Sequence, residues 1–253
     1  MSRVVRLLLA YDGTGFRGWA RQRRDVRTVQ GLLEEVLSHA IGEPVALSVA
    51  GRTDAGVHAT GQVASFVAPQ QWPDTRTLDG LRRRVNAQTA PEVVVREASW
   101  AAEGFDARFS ATARVYRYRI DTGDAPDPFA ARFTWHRVGA VGLGRMRAGA
   151  RHLAGEHDFA SFCRAPQGEG TTVRRVERLT VSRSGEVVEV VVRANAFCHQ
   201  MVRALVGTLV GSGAGTLDPE SVPRIIEARD RHAAPQIAPP HGLTLERVVY
   251  AGR

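Results

Sequence analysis

The 253-residue chain contains no lysine: all 34 of its basic side chains are arginine. GC-rich codon usage alone would produce such a bias. Its physical consequence holds whatever the cause, because guanidinium groups bind phosphates in bidentate fashion and stack on bases. Cysteine is almost as scarce, with only Cys163 and Cys198. Two residues make no disulfide framework, and nothing near them has metal-ligand spacing, so free thiols in a reducing compartment are expected. No apolar run approaches the roughly 20 residues that span a bilayer. The first ten residues carry Arg3 and Arg6, alternate like a strand, and lack the apolar core and small-residue cleavage site of a signal peptide. A cytoplasmic protein without a membrane segment is therefore expected.

What is present is the composition of a globular protein, 43% hydrophobic and 24% charged. With 34 basic against 26 acidic residues the net charge is +8, which makes a polyanion such as nucleic acid a candidate partner. Alternation predicts strands over 4–10, 62–68, 93–100, 114–120 and 243–250, with a short strand over 45–49 running into Gly51. Thr28 caps a helix whose apolar residues are Val29, Leu32, Leu33, Val36 and Leu37. Leu78, Leu81 and Val85 begin another. Further helices are predicted over 146–153, 199–210 and 219–228, and a hairpin over 176–183 and 187–194 turns at Ser184-Gly185. Strands, hairpins and helices are interleaved, so the class is α+β. The boundary is placed near Glu103, giving an N-terminal α/β half over 1–104 and a C-terminal α/β half over 105–253.

Two patterns look chemical and are not. Gly13, Gly15 and Gly18 follow a strand in dinucleotide-fingerprint spacing, but the next helix begins only at Thr28, too late to aim its N-terminus at a pyrophosphate. A tight turn is the better reading, and it leaves a nucleotide-cofactor enzyme without other support. His152 and His157 have no third ligand nearby, so no metal site is expected.

The informative segment is Gly51-Arg52-Thr53-Asp54-Ala55-Gly56-Val57-His58-Ala59, which lies between two predicted strands, where function is often placed. Taken alone, its Thr, Asp and Gly would read as a turn. Residue for residue, however, it resembles the catalytic motif of the tRNA pseudouridine synthase A family. The resemblance recurs in order along nearly the whole chain. It is carried by Tyr11-Asp12-Gly13, Gly18-Trp19 and Thr28-Val29-Gln30, and by residues 105–118 (FDARFSATARVYRY). Ala194-Asn195-Ala196-Phe197 with His199 and Met201-Val202-Arg203, and finally Gly242-Leu243, complete it. Ala20, Thr244 and the stretch after Asn86 depart from the family pattern, which puts details of RNA contact in doubt rather than the chemistry.

The resemblance implies a pseudouridine synthase fold, two α/β subdomains with mainly antiparallel sheets flanking a central cleft. It implies a cytoplasmic homodimer acting on the anticodon stem-loop of tRNA, converting uridine to pseudouridine at positions 38, 39 and 40. Asp54 corresponds to the catalytic Asp, Tyr116 to the active-site tyrosine, Arg203 to the arginine paired with the Asp, and Arg52 to an RNA-contacting arginine that helps extrude the base. An arginine beside a carboxylate favours its charged form, and Arg203 is expected to hold Asp54 ionised and aimed. Tyr116 can stack on a flipped base. His58, His199, Arg21 and Arg24 are further candidates for RNA contact, as are Arg23, Arg27 and the Arg82-Arg83-Arg84 run. Each could equally be a surface charge, and His199 could equally pack. The reaction needs no redox change and loses no group, so no cofactor and no metal are implied. The carboxylate could attack ribose, attack the base, or remove a ribose proton. A non-catalytic RNA-binding protein on the same scaffold is the rival reading; it would not require Asp54, Tyr116 and Arg203 together.

Overall fold

The computed structural model describes residues 3–23, 25–72, 77–139, 141–164 and 170–251. In chain order the regular elements are β1 (Val4–Tyr11), α1 (Val29–Ile41), β2 (Ser48–Val49), β3 (His58–Val67), α2 (Leu78–Thr89), β4 (Val93–Trp100), β5 (Ala111–Asp121), β6 (Trp135–His136), α3 (Leu143–Leu153), β7 (Gly155–Asp158), β8 (Val173–Ser184), β9 (Val187–Ala194), α4 (Met201–Gly213), α5 (Val222–Ala228) and β10 (Leu243–Tyr250). The class is α+β. Two compact units emerge, one comprising residues 1–112 with 245–253, the other residues 113–244. The boundary expected near Glu103 falls inside the first unit, which β10 rejoins at Leu245.

In the first unit the strand order is β4-β1-β3-β10, with β2 beside β3, and the mapped pairs are antiparallel. β1 alternates strictly, turning Val5, Leu7, Leu9 and Tyr11 inward. β3 is buried on both faces over most of its length. α1 buries Val29, Leu33, Val36, Leu37 and Ala40, a helical stripe. Thr28 caps it by accepting from the Gly31 N–H, and Gly42 ends it at φ +87°.

Two sequence expectations are corrected here. The strand over 45–49 shrinks to Ser48–Val49, because side chains of α1 take the backbone donors that a ladder would need. Val45 N–H donates to Ser38 Oγ at 2.9 Å and Leu47 N–H to Glu34 Oε1 at 3.0 Å. β3 begins at His58 rather than Gln62, since Ala59 already pairs with Tyr11 across the sheet. The loop carrying Asp54 is thereby confined to residues 50–57.

The second unit pairs its strands in the order β5-β9-β8-β7, antiparallel throughout, with β6 alongside β5 in parallel. Val188, Val190, Val192 and Ala194 of β9 face inward. α3 and α4 contact each other, burying Met146, Ala150 and Leu153 on one and Leu205, Val206 and Leu209 on the other. The expected start of α4 at His199 is also corrected: the helix begins at Met201, after Gln200 in a left-handed conformation (φ 64°). No helix among the described residues is long and apolar enough to cross a membrane.

Candidate active site

Asp54 sits in the 50–57 loop, partly exposed, between the exposed Arg52 and the buried Val57 and His58. A loop of eight residues has no ladder of its own, so its shape must come from its surroundings. Gln62, fully buried on β3, donates from Nε2 to the Gly51 carbonyl at 2.7 Å and to the Tyr11 hydroxyl at 3.3 Å. The Tyr11 and Thr53 hydroxyls meet at 2.8 Å. Trp19 N–H donates to the Thr53 carbonyl at 3.0 Å, and Val57 N–H closes the turn onto the Asp54 carbonyl at 3.2 Å. Ala50 N–H donates to the Val63 carbonyl at 2.9 Å.

The segment after β1 lies directly against this loop. A Cβ on Gly13 would fall 2.1 Å from the Val57 carbonyl oxygen. One on Gly18, which is at φ +95°, would fall 3.0 Å from the Thr53 oxygen and 3.3 Å from the Asp54 carbonyl carbon. Two of the glycines that imitate a dinucleotide fingerprint, Gly13 and Gly18, are thus explained by backbone approaching backbone, while Gly15 faces the Arg27 and Glu92 side chains. Trp19 anchors the segment with its ring fully buried. Burying an indole is worth on the order of 4 kcal/mol, which exceeds the roughly 1–3 kcal/mol cost of a buried donor without a partner, as Trp19 Nε1 is.

His58 is 2% exposed and belongs to the same clamp. Its Nδ1 accepts from the Gly13 N–H at 3.0 Å. The same nitrogen lies 3.1 Å from Asp12 Oδ1, an ion pair only when the ring is protonated. The structure places this side chain in the interior, holding the loop. Arg21 pairs with Glu34 at 3.0 Å, Arg27 makes a two-pronged contact with Glu92, and Arg82 and Arg83 share Asp79. Arg84 donates to the Ala40 carbonyl at 3.3 Å. The exposed pairs of Arg27, Arg82 and Arg83 are worth about 0–1 kcal/mol, so a phosphate could displace them, whereas the carboxylate that holds Arg21 is buried. Arg24 lies outside the described residues.

In the second unit Tyr116 is buried on β5, opposite Val192, with its ring edge-on to Phe197 at 5.2 Å. Phe197 belongs to the short connection between β9 and α4. Asn195 shapes that connection by accepting from the Arg175 and Ala196 backbone N–H groups at 3.0 and 2.8 Å. His199 is exposed in the turn before the helix, and its carbonyl accepts from Arg164 N–H at 3.3 Å. Arg203, half-buried on the first turn of α4, donates from Nε to the Ala238 carbonyl at 2.7 Å, and Ala238 N–H returns a bond to the Arg203 carbonyl at 3.1 Å. Burial, together with the nearby Arg203 charge, holds the His241 imidazole below its ordinary range, against a backbone hydrogen bond at Thr134. Cys163 and Cys198 are free thiols that donate to the Phe159 carbonyl at 2.8 Å and the Thr172 carbonyl at 3.9 Å; the influence of each sulfur on the other raises the first thiol and lowers the second.

Sequence reasoning named Asp54, Arg52, Tyr116 and Arg203 but gave no role to Tyr11, Thr53 or Gln62. The inward alternation of β1 was the available signal for Tyr11. Nothing local marks Gln62, whose partners lie 11 and 51 residues away.

The chain matches the family model described as tRNA pseudouridine synthase over residues 8–110 and 150–251. Relatives named tRNA pseudouridine synthase A are similar over nearly their full length. The protein of Leifsonia xyli subsp. xyli is 45% identical over 97% of this chain and 91% of its own. That of Geobacter sulfurreducens is 43% identical over 97% and 99%, and that of Chlamydia felis 36% identical over 99% and 92%.

Proposed function

Because this chain belongs to the tRNA pseudouridine synthase family, and is by that membership an isomerase, we propose that it converts uridine to pseudouridine at positions 38, 39 and 40 of the tRNA anticodon stem-loop, with Asp54 as the catalytic carboxylate. The observation that supports this assignment is the setting of Asp54. Its loop is pinned by hydrogen bonds on both sides, at Gly51, Thr53 and Val57, while Asp54 itself is only partly buried. Such rigidity is what positioning a reacting group requires.

The reaction is internally balanced. The bond from ribose C1′ to uracil N1 breaks, the base turns, C1′ bonds to C5, and the C5 proton is replaced by one on N1. No electron or atom is gained or lost, so no redox group enters. A carboxylate beside sugar and base serves as nucleophile on either, or as the base that removes a ribose proton. Arg203 is assigned to keep that carboxylate charged, Tyr116 to contact the extruded base, and Arg52 to help extrude it. Extrusion costs a few kcal/mol, which contacts to an aromatic ring and to phosphates offset. His58, His199, Arg21 and Arg24 are assigned weaker parts in RNA contact, His58 through the loop it holds. The enzyme is assigned to the cytoplasm as a homodimer on the strength of the family resemblance, which sedimentation of the purified protein checks.

The direct test is incubation with an unmodified tRNA transcript followed by mapping of pseudouridine. The wild type should modify positions 38–40. Asp54→Asn should form no product while binding tRNA nearly as well; product formation at the wild-type rate would remove Asp54 from the mechanism. A wild type that binds tRNA and never modifies it would instead be a binding protein.

A further inference from the structure

We propose that Tyr11, Thr53 and Gln62 are positioning residues of the reaction: a buried chain of hydrogen bonds that fixes the backbone immediately before Asp54 and so sets the direction of its carboxylate. The proposal rests on Asp54 being the catalytic carboxylate. Tyr11 is 5% exposed, Thr53 7% and Gln62 fully buried, so water cannot replace these bonds.

The donors available fix the Gln62 end of the chain. Gln62 Nε2 has two protons, and both are used, on the Gly51 carbonyl at 2.7 Å and on the Tyr11 oxygen at 3.3 Å. Its Oε1 accepts from the Val63 N–H at 3.2 Å. Tyr11 therefore accepts from Gln62, and its hydroxyl meets Thr53 Oγ1 at 2.8 Å, a contact in which either oxygen can donate. Burial pushes the Tyr11 hydroxyl up to about 12, against the hydrogen bonds from Thr53 and Gln62, so it stays protonated over the working range. The chain thus grips residue 51 by its carbonyl and residue 53 by its hydroxyl, while Trp19 N–H holds the Thr53 carbonyl at 3.0 Å. Arg52, which is exposed, and Asp54, which is partly exposed, thus sit on a backbone held on either side. Gln62 and Tyr11 come from two paired strands, so the sheet itself supplies the reference frame. Ser65, on the same β3, makes a comparable buried bond to Ala107 N–H at 3.0 Å, away from the loop.

The experiment uses the full-length protein and an unmodified tRNA transcript, reading kcat, KM and thermal midpoint for Thr53→Val, Tyr11→Phe, their double variant, Thr53→Ser and Ser65→Ala. Loss of either hydroxyl should lower kcat by roughly 10–100-fold, since misplacement of about 1 Å can cost 10²-fold, with KM changed less than about twofold. The double variant should be little worse than either single one, because both break one chain. Thr53→Ser, which restores the hydroxyl, should recover most of the rate. Ser65→Ala should lower the thermal midpoint and leave kcat alone. Should Thr53→Val fail to fold, Tyr11→Phe, which removes a single oxygen, carries the test. Unchanged kcat in the folded hydroxyl variants, or additive losses that track the thermal midpoint, would overturn the positioning role. If those variants keep full rate while Asp54→Asn is inactive, only this inference fails; if Asp54→Asn is active, the assignment beneath it fails.

Discussion

Gly13→Ala adds one methyl group where the structure has no room for it. The new carbon would lie 2.1 Å from the Val57 carbonyl oxygen, 2.6 Å from its carbonyl carbon and 3.1 Å from its nitrogen. All three are backbone atoms, so no side chain can swing aside. Reaching a contact of 3.0 Å, still tight, needs a displacement of about 0.9 Å. Either the Gly13 turn or the Asp54 loop must move by that amount. The two are joined by the Gly13 N–H bond to His58, and Val57 N–H is bonded to the Asp54 carbonyl, so a shift on either side reaches Asp54. Overpacking of this kind costs about 1–3 kcal/mol, which for a chain of this size lowers the thermal midpoint by roughly 3–10 °C. The rate should fall by on the order of 10²-fold. The assay is single-turnover pseudouridine formation beside a thermal melt. Gly42→Ala is the companion: it too is strained, at φ +87°, but has nothing within 4 Å and ends α1 away from the loop. It should lose about 1–2 kcal/mol and keep its rate. Full activity in Gly13→Ala would refute the reasoning, as would equal rate losses in the two variants.

Two other outcomes are expected. Asp106 Oδ1 accepts from Arg108 N–H at 2.7 Å, Phe109 N–H at 2.9 Å and Ser48 Oγ at 3.0 Å; burial raises its pKa, but these bonds outweigh it and hold the carboxyl below its ordinary value. Its folded pKa lies below the unfolded one, so its contribution is fully present above about pH 4 and is lost as pH falls through the folded value. Asp106→Asn should cost about 1 kcal/mol at neutral pH and flatten the acid limb of urea midpoints against pH; an unchanged limb would count against the carboxylate. Affinity for tRNA should fall steeply with salt, and Arg52→Ala should reduce the log–log slope by about 0.7–0.9 if that side chain meets one phosphate; an unaltered slope would remove the contact.

How much was legible in the sequence depended on where the cause of each feature lay. β4, β9 and β10 were readable to the residue because alternation is a local property, and Thr28 announced α1 because capping is local too. The strand over 45–49 failed because Ser38 and Glu34, a few residues upstream, capture its N–H groups. β7, Gly155–Asp158, has no apolar alternation and exists through its partner β8. His199 was drawn into α4 by the apolar run that follows it, whereas Gln200 adopts a left-handed conformation that starts the helix later. The glycines at 13 and 18 read correctly as a turn, yet the reason for them is a loop some forty residues away. Asp54 stood out through family resemblance, since by spacing and composition it would have passed for a turn residue. The hydroxyl and amide that hold its loop come from two strands distant in sequence, and no local pattern could join them.

The return of β10 to the first unit bears on how the molecule is made. β3 carries the end of the Asp54 loop, and one of its edges is covered by a strand that leaves the ribosome after all of residues 113–244. The fit is close: a Cβ on Gly61 would fall 2.0 Å from the Glu246 carbonyl oxygen, and the Tyr250 hydroxyl donates to the Ala107 carbonyl at 2.9 Å. At synthesis rates of roughly 5–20 residues per second, that edge waits on the order of 10–35 s for β10, with unpaired backbone groups that invite another chain. A fragment ending before residue 243 would carry the same open edge permanently. The half of the protein synthesised first is thus the half completed last, and the edge it leaves open meanwhile belongs to the strand that follows the Asp54 loop.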